Sequence, residues 1–84
     1  MSHVTLYTTP HCPYCVRAKS LLARKGVSTT EINVAASPQK LAEMLDKSKR
    51  RSVPQIFIGD THVGGFDDLA SLERKGELDA LLQA

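Results

Sequence analysis

No aspartate or glutamate occurs before Glu31 in this 84-residue chain, whereas Arg17, Lys19, Arg24 and Lys25 all precede it. The amino-terminal part is therefore electropositive, which favours thiolates and attracts anionic substrates. A solvated basic helix face is the simpler reading of the same charges. The nine acids that follow reduce the net charge to +2, too little to point to nucleic acid. No apolar run approaches the roughly 20 residues of a membrane-spanning helix. The opening Met1-Ser2-His3-Val4-Thr5 lacks the basic and apolar regions of a secretory signal. Repeats, linkers and low-complexity stretches are absent too, so the chain is read as a single domain, residues 1–84. Cysteine is scarce, with only Cys12 and Cys15 present. A loop closed over so few residues constrains little of the unfolded chain, so a structural staple is a poor explanation for them. A functional dithiol in a reducing, cytoplasmic setting is expected instead.

The two cysteines stand in His11-Cys12-Pro13-Tyr14-Cys15, where a strand-like run gives way to a helix-like one. Residues three apart share a helix face with Cβ atoms about 5–6 Å apart, near the separation a disulfide requires. A sulfur at a helix start also meets unpaired backbone N–H groups and the positive end of the helix dipole, which favour its thiolate. The alternative for such a pair is a metal or iron–sulfur ligand set. Zinc wants four ligands, and only His3, His11 and His62 are there to help, with His11 poorly placed beside Cys12. Redox chemistry is the preferred reading, and no metal is expected.

Along the chain, Val4–Thr8 reads as a buried strand. Pro13 lies in the first turn of a helix whose Cys15, Ala18, Leu21 and Leu22 recur at helical spacing until Gly26. Thr29–Val34 reads as a second strand. Ser37 caps a helix with Pro38 at its first position and Leu41, Met44 and Leu45 as its apolar stripe. Val53–Ile58 is a third strand, Gly59-Asp60 a hairpin turn and Thr61–Val63 the return strand. Asp67 or Asp68 is expected to cap a helix bearing Leu69 and Leu72, and Leu78, Leu81 and Leu82 close the chain as a short amphipathic segment. The order βαβ, α, ββ, α predicts an α/β fold with a four-stranded mixed sheet and helices on both faces. The cysteine pair then sits at the carboxyl end of the first strand, an edge where ligands dock on such sheets.

Cys12-Pro13-Tyr14-Cys15, Val53-Pro54-Gln55-Ile56-Phe57-Ile58 and Gly64-Gly65-Phe66-Asp67-Asp68-Leu69, in this order and spacing, closely resemble the glutaredoxins of the small dithiol class. The resemblance spans essentially the whole chain and implies a thioredoxin-like fold. Three positions depart from the family pattern. Thr9 stands where a lysine is usual, Ser52 replaces a threonine, and Lys49 occupies a position that is often glycine.

What the resemblance implies is a thiol–disulfide oxidoreductase with Cys12 as nucleophile and Cys15 as resolving thiol. Glutathione is the reducing co-substrate. Disulfide-bonded or glutathionylated proteins are the partners, glutathione reductase and NADPH supply the electrons upstream, and the protein works as a monomer. Its glutathione contacts carry over to Tyr14 beside the groove, a cis Val53-Pro54 bond that frees the Val53 backbone for pairing, and Gly65 for close backbone approach. Asp67 and Asp68 would hold the γ-glutamyl end, and Arg50 the glycine carboxylate. Arg51 is expected to replace the charge missing at Thr9. Two rivals stand beside this reading, a protein of the same shape served by thioredoxin reductase and an iron–sulfur carrier dimer bridged through Cys12 and glutathione.

Overall fold

Residues 2–84 are described by a computed structural model; Met1, the first residue of the expected domain, lies outside them. The β-branched and aromatic run Val4–Thr8 forms strand β1, buried at four of its five positions. Helix α1, Pro13–Arg24, begins where proline's fixed φ suits a first turn, and it ends ahead of Gly26 in the left-handed region. Strand β2, Thr29–Asn33, pairs parallel to β1. It stops one residue short of the expected Val34, whose amide still donates to the Thr8 carbonyl at 2.9 Å. Helix α2, Pro38–Ser48, is capped by the Ser37 hydroxyl, which accepts from the Lys40 amide.

Strand β3 spans Gln55–Ile58 and starts later than the expected Val53. Pro54 has no N–H for a ladder bond, and the Val53 carbonyl faces the cysteine loop instead. Strand β4, Thr61–Gly64, returns from Gly59-Asp60 with a register shift opposite Ile56 and Phe57. Helices α3, Phe66–Arg74, and α4, Leu78–Gln83, complete the chain.

The sheet order is β2-β1-β3-β4, with β3 antiparallel to both neighbours. Alternation along β1 sends Val4 and Leu6 to one face and Tyr7 to the other. The first face packs with Ile56 and Ile58 against Leu22 of α1, Leu69 of α3 and Leu78 of α4, all nearly or fully buried. The second face packs Tyr7 and Val34 on Met44 of α2, with Leu41 and Leu45 partly buried around them. Each such side chain taken from water contributes about 1.5–3 kcal/mol. The mixed four-stranded sheet with helices on both faces is thus the fold expected from the order of elements.

At the end of α2, Lys49 takes φ 60°, the left-handed region, while its N–H donates to the Leu45 carbonyl at 2.9 Å. A side chain there costs about 1–2 kcal/mol, offset only in part by the extra freedom glycine has when unfolded. Lys49→Gly is therefore expected to stabilise the protein by about 0.5–1 kcal/mol, read as a rise in the urea midpoint at unchanged slope. The exposed Lys49–Asp46 pair at 3.8 Å that the change removes contributes nothing of consequence.

Candidate active site

Cys12 is the N-cap of α1, in extended conformation, and its sulfur accepts the Cys15 amide N–H at 3.1 Å. The chain reaches this position through His11, whose φ of 60° turns the loop leaving β1 into the helix start. Cys12 and Cys15 are joined as a disulfide with Cα atoms 5.2 Å apart. Their environments differ. Cys15 is 2% exposed and belongs to the buried face of α1, while Cys12 is only partly buried. Amide donation at a helix N-terminus stabilises negative charge on the Cys12 sulfur in the reduced state.

The Val53–Pro54 peptide bond is cis. The Val53 carbonyl oxygen lies 3.9 Å from the Cys12 sulfur. From there a groove of about 280 Å³ runs past Tyr14, Arg50, Val53, Pro54, Gly65, Asp67 and Asp68. Of the residues to which the family resemblance carries glutathione contacts, only Arg51 lies outside this lining, exposed on the loop before Ser52. The N-cap of α3 is Gly65 and not either aspartate. Asp68 acts from the third helical position, its carboxylate accepting the Gly65 N–H at 3.0 Å and facing Arg50 Nη1 at 3.2 Å. Ser48 holds Arg50 in turn, its hydroxyl accepting the Arg50 N–H at 3.1 Å.

Gly65 donation and then the Arg50 guanidinium hold the Asp68 carboxyl below its ordinary 3.8, against partial burial. A lowered folded pKa means that the carboxylate's contribution is complete above the unfolded value and is lost as pH falls through the folded one. Asp68→Asn is accordingly expected to be less stable than wild type by a constant margin at neutral pH. That margin should close below about pH 4, which denaturation midpoints measured across the acid range will show.

On the other side of the disulfide, a larger cleft of about 480 Å³ takes in Thr9, His11, Cys12, Lys19, Glu31 and Asn33. The electropositive field expected from the early cations is partly cancelled in space. Lys19 pairs with Glu31 at 3.2 Å, and Lys25 with Glu73 at 2.7 Å and Asp79 at 3.1 Å. The Thr8 hydroxyl donates to Glu31 at 2.7 Å and, ahead of Lys19, keeps that carboxyl below its usual range.

One contributor went unread in the sequence. Gln55, fully buried, donates its amide to the Ser52 carbonyl at 2.9 Å and the Ser52 hydroxyl at 3.2 Å. Its carbonyl oxygen thereby turns to His62 Nε2 at 2.8 Å, so His62 donates through that nitrogen. Burial first, then the Arg50 charge, lower the His62 pKa and favour the neutral ring. This chain fixes the loop that presents Val53. The available signal was a polar residue opening the otherwise apolar run Gln55-Ile56-Phe57-Ile58. Among the described residues no three of His, Cys, Asp or Glu form a group able to hold a metal ion, and no helix is long and apolar enough to cross a membrane.

The glutaredoxin family model matches residues 4–63. A glutaredoxin of Pseudomonas aeruginosa is 57% identical over 84 residues, covering both chains completely. Glutaredoxin 3 of Escherichia coli is 49% identical over 83 residues, 99% of this chain and all of its own. The crystal structure of the buckwheat glutaredoxin–glutathione complex superposes with a TM-score of 0.89 at 28% identity, covering 98% of this chain and 77% of that one. With its dithiol at a helix start and its mixed sheet, the chain belongs to the glutaredoxin family.

Proposed function

We propose that the protein is a cytoplasmic, monomeric, glutathione-dependent thiol–disulfide oxidoreductase. The observation that carries the reading is the position of the Cys12 sulfur. It lies at a helix N-terminus, 3.9 Å from the carbonyl of Val53, a residue that lines the groove holding the Arg50–Asp68 pair and the first turn of α3. The buckwheat relative's complex with glutathione supports a tripeptide in the corresponding groove.

In this reading the Cys12 thiolate attacks the glutathione sulfur of a mixed disulfide, expelling the target's thiolate and leaving glutathione on Cys12. A second glutathione attacks that sulfur, releasing oxidised glutathione and restoring the thiolate. Glutathione reductase then returns the electron pair from NADPH. On a protein disulfide, Cys12 first forms a mixed disulfide with the target, and Cys15 displaces it to give the Cys12–Cys15 bond. Two glutathiones reopen that bond. The Val53 backbone pairs with the cysteinyl unit of glutathione. Arg50 draws in its glycine carboxylate, and Arg51 adds a cation to the same loop. Gly65 and the α3 amides with Asp67 and Asp68 receive the γ-glutamyl group, while Tyr14 walls the groove.

The test is turnover of a glutathione mixed disulfide coupled to glutathione reductase and NADPH, with thioredoxin reductase in a parallel reaction. Turnover sustained by glutathione reductase alone is expected. Turnover sustained only by thioredoxin reductase would reject the glutathione dependence.

A further inference from the structure

A second groove, of about 370 Å³, runs between α1 and α3 and has no part in the chemistry above. Its floor is apolar, with Val16, Leu21, Phe66 and Ala70. Val16 in its lining is 56% exposed and Tyr14, whose ring centroid lies 6.2 Å from that of Phe66, is 53% exposed; among the described residues these are the large hydrophobic side chains left in solvent. Three arginines surround it: Arg17, whose guanidinium lies 5.4 Å over the Tyr14 ring, Arg24 and Arg74. None of the three makes an ion pair among the described residues. The one acid in the lining, Glu73, is already held by Lys25.

The groove is continuous with the reactive centre. Val16 also lines the cleft around Cys12, and Phe66 also lines the groove beside Val53. From Val16 to Arg24 the helix rises about 12 Å, the reach of about four residues of extended chain. An apolar floor adjoining a reactive sulfur and flanked by unpaired cations complements a short segment with one apolar anchor and acids beside it.

We infer that this groove docks the polypeptide of the disulfide substrate and selects reacting cysteines flanked by an aliphatic or aromatic residue and acidic residues. The inference rests on the oxidoreductase reading and specifies the substrates of that same site. A like-charged, lysine-flanked cysteine meets repulsion from the arginines and is disfavoured. Small glutathione mixed disulfides do not reach the groove and are indifferent to it.

The test uses three glutathionylated peptides with one aromatic residue after the cysteine, followed by two aspartates, two serines or two lysines. Wild type is compared with the double variant Arg24→Glu/Arg74→Glu, in which neither substitution touches the catalytic groove. Wild type is expected to favour the acidic over the basic peptide by about tenfold in kcat/KM, mainly through KM, and to lose that preference at about 0.5 M salt. The double variant is expected to erase or invert the ranking while its rate on a small glutathione mixed disulfide stays within about twofold of wild type. An identical ranking in both proteins overturns the inference. Failure of wild type on the small disulfide condemns the oxidoreductase reading instead. The docking is then decided by amide-shift titration of the oxidised protein with a cysteine-free acidic peptide. Shifts at Val16, Ala70 and Arg74 uphold it, and shifts elsewhere or none overturn it.

Discussion

Cys12→Ser is expected to abolish turnover of glutathione mixed disulfides, by at least about 10³-fold, because a serine hydroxyl is not ionised near neutrality and makes no disulfide. Cys15→Ser is expected to keep that activity within about an order of magnitude, while reduction of protein disulfides falls away for want of a resolving thiol. The asymmetry follows from placement. Cys12 caps α1 and accepts the Cys15 N–H, whereas Cys15 faces the buried core, 2% exposed. Steady-state rates of both variants on a small mixed disulfide and on a protein disulfide, coupled to NADPH oxidation, give the four numbers required. Equal losses in the two variants on the small substrate would remove the division of labour assigned to the sulfurs.

The second large effect is expected at Gly64, just outside the groove. Its φ of 117° is one that residues with a Cβ rarely adopt. A Cβ built there would lie 2.8 Å from Asp68 Cγ and 3.2 Å from Arg50 Nη1, with the Asp68 carboxylate oxygen closer still. Gly64→Ala must therefore displace the carboxylate that receives the Gly65 N–H and faces Arg50. Backbone strain together with the loosened cap costs about 2–3 kcal/mol, on the order of 10–20 °C in Tm for a domain of this size. KM for glutathione is expected to rise with it. Gly65→Ala makes the contrasting control for stability alone, since the nearest atom to its Cβ is the Pro54 carbonyl oxygen at an ordinary 3.5 Å and its φ is negative. A Gly64→Ala protein that melts with wild type would show that the α3 entrance tolerates a Cβ.

The order of elements and the dithiol were legible because they rest on local signals: a β-rich apolar run in Val4–Thr8, proline at two helix starts, and cysteines one helical turn apart. The cap of α3 was misread for an equally local reason. Gly65 carries no side-chain signal, and the aspartate that satisfies its amide stands three residues further on. Charge was legible as composition but not as field, since the partners of Lys19 and Lys25 come from β2, α3 and α4 and meet them only in the fold. The Gln55–His62 contact crosses a hairpin whose register shifts between Ile56 and Phe57, so strict pairing rules do not foresee it. The departure at Lys49 becomes intelligible once its left-handed backbone is seen, because that geometry is what a glycine there serves.

Sinking Cys15 into the core while Cys12 stays within reach of solvent has a practical corollary. After mild reduction, a maleimide or haloacetamide dye has one address on the folded molecule, so conjugation stops at a single fluorophore per chain. Denaturant opens the second, and the count of labels becomes a direct gauge of how much of the population has come apart.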